Sequence, residues 1–187
     1  MPSQKQIESI QSYAAFARRH ARERYNVNID DVEEKWLNEG LVFHPKGGQL
    51  GLYLDNKMGS KMVKGKHGLT PDKKCVILAD IKSETKDSQY FGIIFHEYGH
   101  ATFDAQSRNS EHGAFCMELT ALVDAVVEGL VPLDAAQSYT AERIANKMLS
   151  EDISLVNNVE WRMRYGVCRS YLQNKVRTII SYPGGSA

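Results

Sequence analysis

Apolar residues recur at three- and four-residue intervals near the start of the chain, at Ile7, Ile10, Tyr13, Ala14 and Ala17. That spacing predicts an amphipathic helix opening at Ser3, a good cap, and running to about Arg24, ahead of the polar stretch Asn26 to Asn28. A second, short helix is expected over residues 31–38, with Asp30 as its cap and Gly40 just past its end. Between residues 41 and 80 the pattern shortens into apolar runs at 41–43, 50–54 and 75–79, separated by Gly, Pro, Asn and Lys. Such runs predict a small sheet. The lysine- and glycine-rich segment 57–74 reads as an exposed loop suited to lying over a cleft. After Ser83 helical spacing takes over. One helix is expected over about 88–103, burying Phe91, Ile94, Phe95 and Tyr98, and others over 111–130, 134–149 and 159–180, with breaks at Pro132 and Pro183.

The chain has 187 residues, 42% hydrophobic and 25% charged, which suits one ordinary core. The expectation is a single α+β domain over residues 1–187, with a helix and small mixed sheet in 1–82 and helices in 83–182. No stretch nears the ~20 apolar residues that a membrane span requires. Lys and Arg number 23, as do Asp and Glu, so net charge indicates neither nucleic acid nor membrane as a partner. Arg18, Arg19, His20, Arg22 and Arg24 form a local basic cluster, read as the solvated side of the first helix. The first residues show no cationic segment followed by an apolar run, so a cytoplasmic location is expected. Cys75, Cys116 and Cys168 are widely spaced and odd in number, which argues against a disulfide framework or a cysteine zinc knuckle.

The chemistry lies in His96-Glu97-Tyr98-Gly99-His100. Four residues of helix turn through ~400°, so both imidazoles leave one face a turn apart and can grip one tetrahedral ion. Glu97 sits ~100° round from His96, placed to reach a water held on that ion rather than to bind it. From the composition of the chain, a chance match to this spacing has odds of about one in eighty. Asp104 continues the four-residue series and is a candidate either for the outer hydrogen bond of an imidazole or for an ordinary solvated helix end.

A catalytic zinc needs a third protein ligand. The spacing that would supply a third histidine in metzincins is absent, because Phe103 and Gln106 stand at the required Gly and His positions. Glu118 is a candidate, since it projects from an otherwise apolar helix where an unpaired carboxylate would be costly. His112 and Glu111 remain alternatives.

The segments His96-Glu-Tyr-Gly-His-Ala-Thr, Ser107-Arg-Asn109 and Phe115-Cys-Met-Glu-Leu119 resemble the zincin domain of antirestriction proteins, and more loosely the metallopeptidases that cleave phage-type repressors. The likeness spans residues 96–119. It implies a zincin-like fold and the gluzincin arrangement, with Glu118 as third ligand of one catalytic Zn2+. His112-Gly-Ala-Phe115 is similar instead to SprT-like proteases, in which a histidine completes the site.

These features lead to the expectation of a zinc metalloendopeptidase acting on a selective intracellular protein or peptide. His96 and His100 hold the ion, Glu97 takes a proton from the activated water, and Tyr165, His112 or a loop residue steadies the intermediate. The strand at 75–79 either offers a sheet edge to substrate or is a buried central strand. Two other readings are a zinc-containing antirestriction-type inhibitor with little turnover and a DNA-associated protease.

Overall fold

Ser3 opens the first helix through a reciprocal cap. Its hydroxyl accepts from the Gln6 N–H at 3.3 Å, while the Gln6 side-chain oxygen accepts from the Ser3 N–H at 2.7 Å. The helix so started is α1, Gln4–Tyr25. It ends where Asn26 turns left-handed, φ 54°, and the Val27 N–H donates back to the Ala21 carbonyl. A computed structural model describes residues 3–37, 51–55, 74–79, 87–136 and 138–139. The chain divides into two compact units, Met1–Met117 and Glu118–Ala187.

The short helix expected over 31–38 is a strand, β1, Glu33–Leu37. It pairs in parallel with a later strand, Glu33 standing opposite Cys75 and Leu37 opposite Ala79. Glu, Lys and Leu favour helix locally, but a non-local ladder outweighs that small preference. The runs at 50–54 and 75–79 form β2, Gly51–Leu54, and β3, Cys75–Ala79. Strand order is β1-β3-β2, with β2 antiparallel to β3, so the sheet is mixed. All five residues of β3 are buried, as an uninterrupted apolar run in a central strand should be.

Helix α2, Asp87–Ala105, carries the two-histidine segment. Its inner rings pack on α1: Tyr13 lies 5.9 Å from Phe91 and 6.2 Å from Phe95, centroid to centroid, and Phe16 lies 5.5 Å from Phe95. Each of these buried rings is worth about 1.5–3 kcal/mol of hydrophobic stabilisation. Gln6 also donates to the Tyr90 hydroxyl at 2.8 Å, tying the start of α1 to α2. Ser107, φ 56°, ends α2 by turning the chain left-handed, and the Arg108 N–H closes on the Phe103 carbonyl at 2.9 Å.

Helix α3, Glu111–Val127, follows at once, capped by the Ser110 hydroxyl on the Gly113 N–H at 3.1 Å. Two glycines let α2 and α3 approach. A Cβ on Gly99 would lie 2.6 Å from the Ala114 Cα, and one on Gly113 would lie 2.7 Å from the Phe103 ring.

The basic cluster of α1 does not form one solvated face. His20 is buried between Phe16 and Tyr25. Arg18 donates to the Val32 carbonyl at 2.7 Å, pairs with Glu34 and lies 5.2 Å from the centroid of the Tyr98 ring. Arg22 pairs with Asp30 at 2.6 Å.

In the second unit Leu119 and Val123 form a small apolar cluster, and residues 133–136 and 138–139 are helical. Among the described residues no helix is long and apolar enough to cross a membrane. The expected strand at 41–43, the loop beyond Lys57, most of the 134–149 helix and the 159–180 helix lie outside the described residues.

Candidate metal centre

The α2 backbone does to the histidines what their spacing requires. His96 and His100 stand one turn apart with ring centroids 4.9 Å from each other and planes at 89°. His96 is buried against the Phe115 ring of α3 at 4.6 Å, which limits its rotation. From the first turn of α3, Glu111 brings a carboxylate between them. Its Oε2 lies 3.4 Å from His96 Nε2 and its Oε1 lies 3.4 Å from His100 Nε2. One ligand atom from each of the three residues falls within 4.8 Å of the others.

Those distances test the fit to a metal. Zinc binds imidazole nitrogen at ~2.0–2.1 Å and carboxylate oxygen at ~2.0–2.2 Å, so the edges of its coordination tetrahedron are about 3.4 Å long. Both histidine–carboxylate separations match that edge. Two imidazoles and a carboxylate are also a donor set that zinc accepts in catalytic sites.

The two histidines shift Glu111 strongly, and Glu111 in turn shifts His100. Hydrogen bonds from His100 and His96 hold the Glu111 carboxyl far below the usual carboxylate range, against the opposing effect of burial. Burial presses the His100 imidazole down, yet the Glu111 carboxylate, with Asn109 and Glu97, lifts its pKa above the ordinary value. Such mutual shifts are typical of functional clusters, although structural ion pairs also produce them.

Glu97 lies next to this group without joining it. It is 8% exposed, and burial raises its pKa against the opposing pull of His96, His100 and a hydrogen bond from the Tyr53 N–H. That hydrogen bond brings β2 onto the two-histidine segment of α2. Gly51 permits the approach, since a Cβ there would lie 2.3 Å from Ile93 Cγ2 and 3.0 Å from Glu97 Cγ. Two residues on, the Tyr53 hydroxyl donates to Asp104 Oδ2 at 2.8 Å, and Lys74 pairs with the same oxygen at 3.2 Å.

Asp104 is therefore committed to β2 and Lys74, and the outer partner of His100 is a different residue. His100 Nδ1 lies 2.8 Å from Asn109 Oδ1. Asp104 has the right helical spacing, but Tyr53 and Lys74, both distant in sequence, claim it. Asn109 comes from the short α2–α3 connection and Glu111 from the first residue of α3. An acidic residue in the first turn of a helix ordinarily complements the macrodipole, so nothing local sets Glu111 apart.

His96, Glu97 and His100 are thus brought together as the spacing predicts. Among the described residues, the carboxylate grouped with the two histidines is Glu111. Glu118 is fully buried in the second unit and accepts a 2.6 Å hydrogen bond from the Tyr139 hydroxyl. His112 belongs to α3, and its side chain, like Tyr165, lies outside the described residues. β3 is paired on both sides, so of the two roles considered for it the central one holds, and β2 is the outer strand beside Glu97 among the described residues.

No family model, curated protein or solved structure matches the chain.

Proposed function

We propose that this chain is a zinc metalloendopeptidase of zincin-like fold, with His96, His100 and Glu111 as metal ligands and Glu97 as the proton acceptor. The observation that carries this reading is the pair of 3.4 Å separations from Glu111 to the two imidazoles, with a buried glutamate alongside. Glu118, the ligand implied by resemblance, is the rival for the third position.

A bound zinc ion would polarise a substrate carbonyl and bring the pKa of a coordinated water towards ~7. Glu97 is the group that takes that proton and returns it to the leaving amine. Burial raises its proton affinity, which suits a base that must also act as an acid. The Tyr53 N–H holds its carboxylate at the edge of β2, where an extended peptide could add as a strand. A protein or peptide substrate accords with this site. Arg18 and Arg22, which would favour a DNA-associated role, are already paired with Glu34 and Asp30.

Metal analysis of purified wild type, Glu111→Gln, Glu118→Gln and His112→Ala tests the ligand set. Wild type should carry one zinc and Glu111→Gln should lose it, while Glu97→Gln should keep the metal and lose peptide hydrolysis. Zinc-free wild type, or full hydrolysis by Glu97→Gln, would overturn the reading. Loss of zinc on Glu118→Gln with retention on Glu111→Gln would transfer the third position to Glu118.

A further inference from the structure

A neutral imidazole carries its proton on one nitrogen and can offer a metal only the other. In His100 the two nitrogens face different neighbours. Nε2 looks towards the Glu111 carboxylate at 3.4 Å, and Nδ1 lies 2.8 Å from the side-chain oxygen of Asn109. The connection between α2 and α3 makes this arrangement local. Ser107 turns left-handed at φ 56°, the Arg108 N–H closes on Phe103, and Ser110 starts α3, so Asn109 is carried back over the ring it contacts.

We propose that Asn109 is the positioning residue of the metal centre, holding the proton of His100 on Nδ1 and so presenting Nε2 to the ion. The proposal rests on the metal reading above and adds to it a residue that is not itself a ligand. Its physical basis is the usual outer partner of a metal-bound imidazole, whose acceptor sets both ring orientation and tautomer.

Asparagine is a specific choice with a specific weakness. Its amide can rotate to offer N–H instead of oxygen, which would favour the tautomer with its proton on Nε2, the wrong one for this site. A carboxylate can only accept. Asn109→Asp should therefore bind zinc at least as tightly as wild type, while Asn109→Ala should bind about tenfold more weakly. Asn109 is exposed, so neither change threatens the core.

Two measurements test this. Zinc affinity is read by competition with a chelator of known strength. Independently, nitrogen-15 NMR of the zinc-loaded protein, in which the ion rather than a proton faces Glu111, reads which His100 nitrogen carries the proton. Wild type and Asn109→Asp should show the proton on Nδ1, and Asn109→Ala a mixture. If wild type binds zinc and Asn109→Ala matches it in affinity and tautomer, Asn109 has no positioning role and the metal reading stands. If wild type binds no zinc, the metal reading falls and the proposed role falls with it.

Discussion

Tyr53 touches α2 twice, through its backbone N–H on the Glu97 carboxylate and through its hydroxyl on Asp104 at 2.8 Å. The two contacts sit nearly two turns apart on the helix, and the absent side chain of Gly51 lets the strand come close enough to make them. The phenol is therefore a fastener for the proposed base as well as a core group. Tyr53→Phe should cost about 1.5–3 kcal/mol in urea unfolding, the range for a hydrogen bond to a charged acceptor. It should leave zinc content unchanged and lower turnover. Unchanged turnover would show that Glu97 is held without help from this strand.

Gly99 and Gly113 predict unequal costs for the same substitution. A methyl on Gly99 meets the backbone of Ala114 at 2.6–3.1 Å, so α3 must move. A methyl on Gly113 meets the buried ring of Phe103 at 2.7–3.1 Å, so a side chain rather than a helix backbone must shift. Alanine improves helix propensity by up to ~1 kcal/mol at either site, against about 1–3 kcal/mol for overpacking. Gly99→Ala should be the more destabilising in thermal unfolding and should weaken zinc binding by displacing Glu111, whereas Gly113→Ala should cost less and leave zinc binding closer to wild type. Equal effects would mean that the helix contact is not the constraint described.

The two arginine pairs of α1 differ in burial and should differ in worth. The Arg18 and Glu34 side chains are 23% and 22% exposed, and the Tyr98 hydroxyl donates to the same Glu34 oxygen. Removing the guanidinium leaves that carboxylate partly buried with less compensation, at about 1–3 kcal/mol. Arg22 and Asp30 are 55% and 51% exposed, and Arg22→Ala should cost at most ~1 kcal/mol. Denaturant titration of the two variants decides the order.

Cys75 should resist thiol reagents in the native protein. Burial pushes its thiol pKa up, so below that value less of the reactive thiolate is present at a given pH. Peptide mapping after brief maleimide treatment near neutral pH should find Cys116, which is half-buried, labelled ahead of Cys75. Unfolding should erase the difference. Rapid native labelling of Cys75 would contradict its placement in β3.

Local features of the site were legible in the sequence, and those made by distant residues were not. Ser3 marks the start of α1, and four-residue spacing places His96 and His100 one turn apart because both histidines belong to a single helix. β1 looked helical because Glu33, Glu34 and Lys35 suit a helix, while the partner that makes it a strand lies at Cys75–Ala79. Asp104 looked free to serve His100 because Tyr53 and Lys74 reach it only through the fold. Glu118 stood out as a carboxylate among apolar neighbours, and Glu111 blended into an ordinary helix start.

The α2–α3 connection also orders events in time. The proposed ligands all lie between residues 96 and 111, at the corner of two consecutive helices, whereas the anchor of Glu97 must arrive from residue 53. Short closures form faster and at lower entropic cost than long ones. During folding, on this view, the chain gains a seat for an ion before it gains a restrained base. Pulsed hydrogen exchange should therefore protect the corner amides ahead of Tyr53, and simultaneous protection would refute that order. On the proposed reading, a nascent chain would hold its ion before its base is fixed in place.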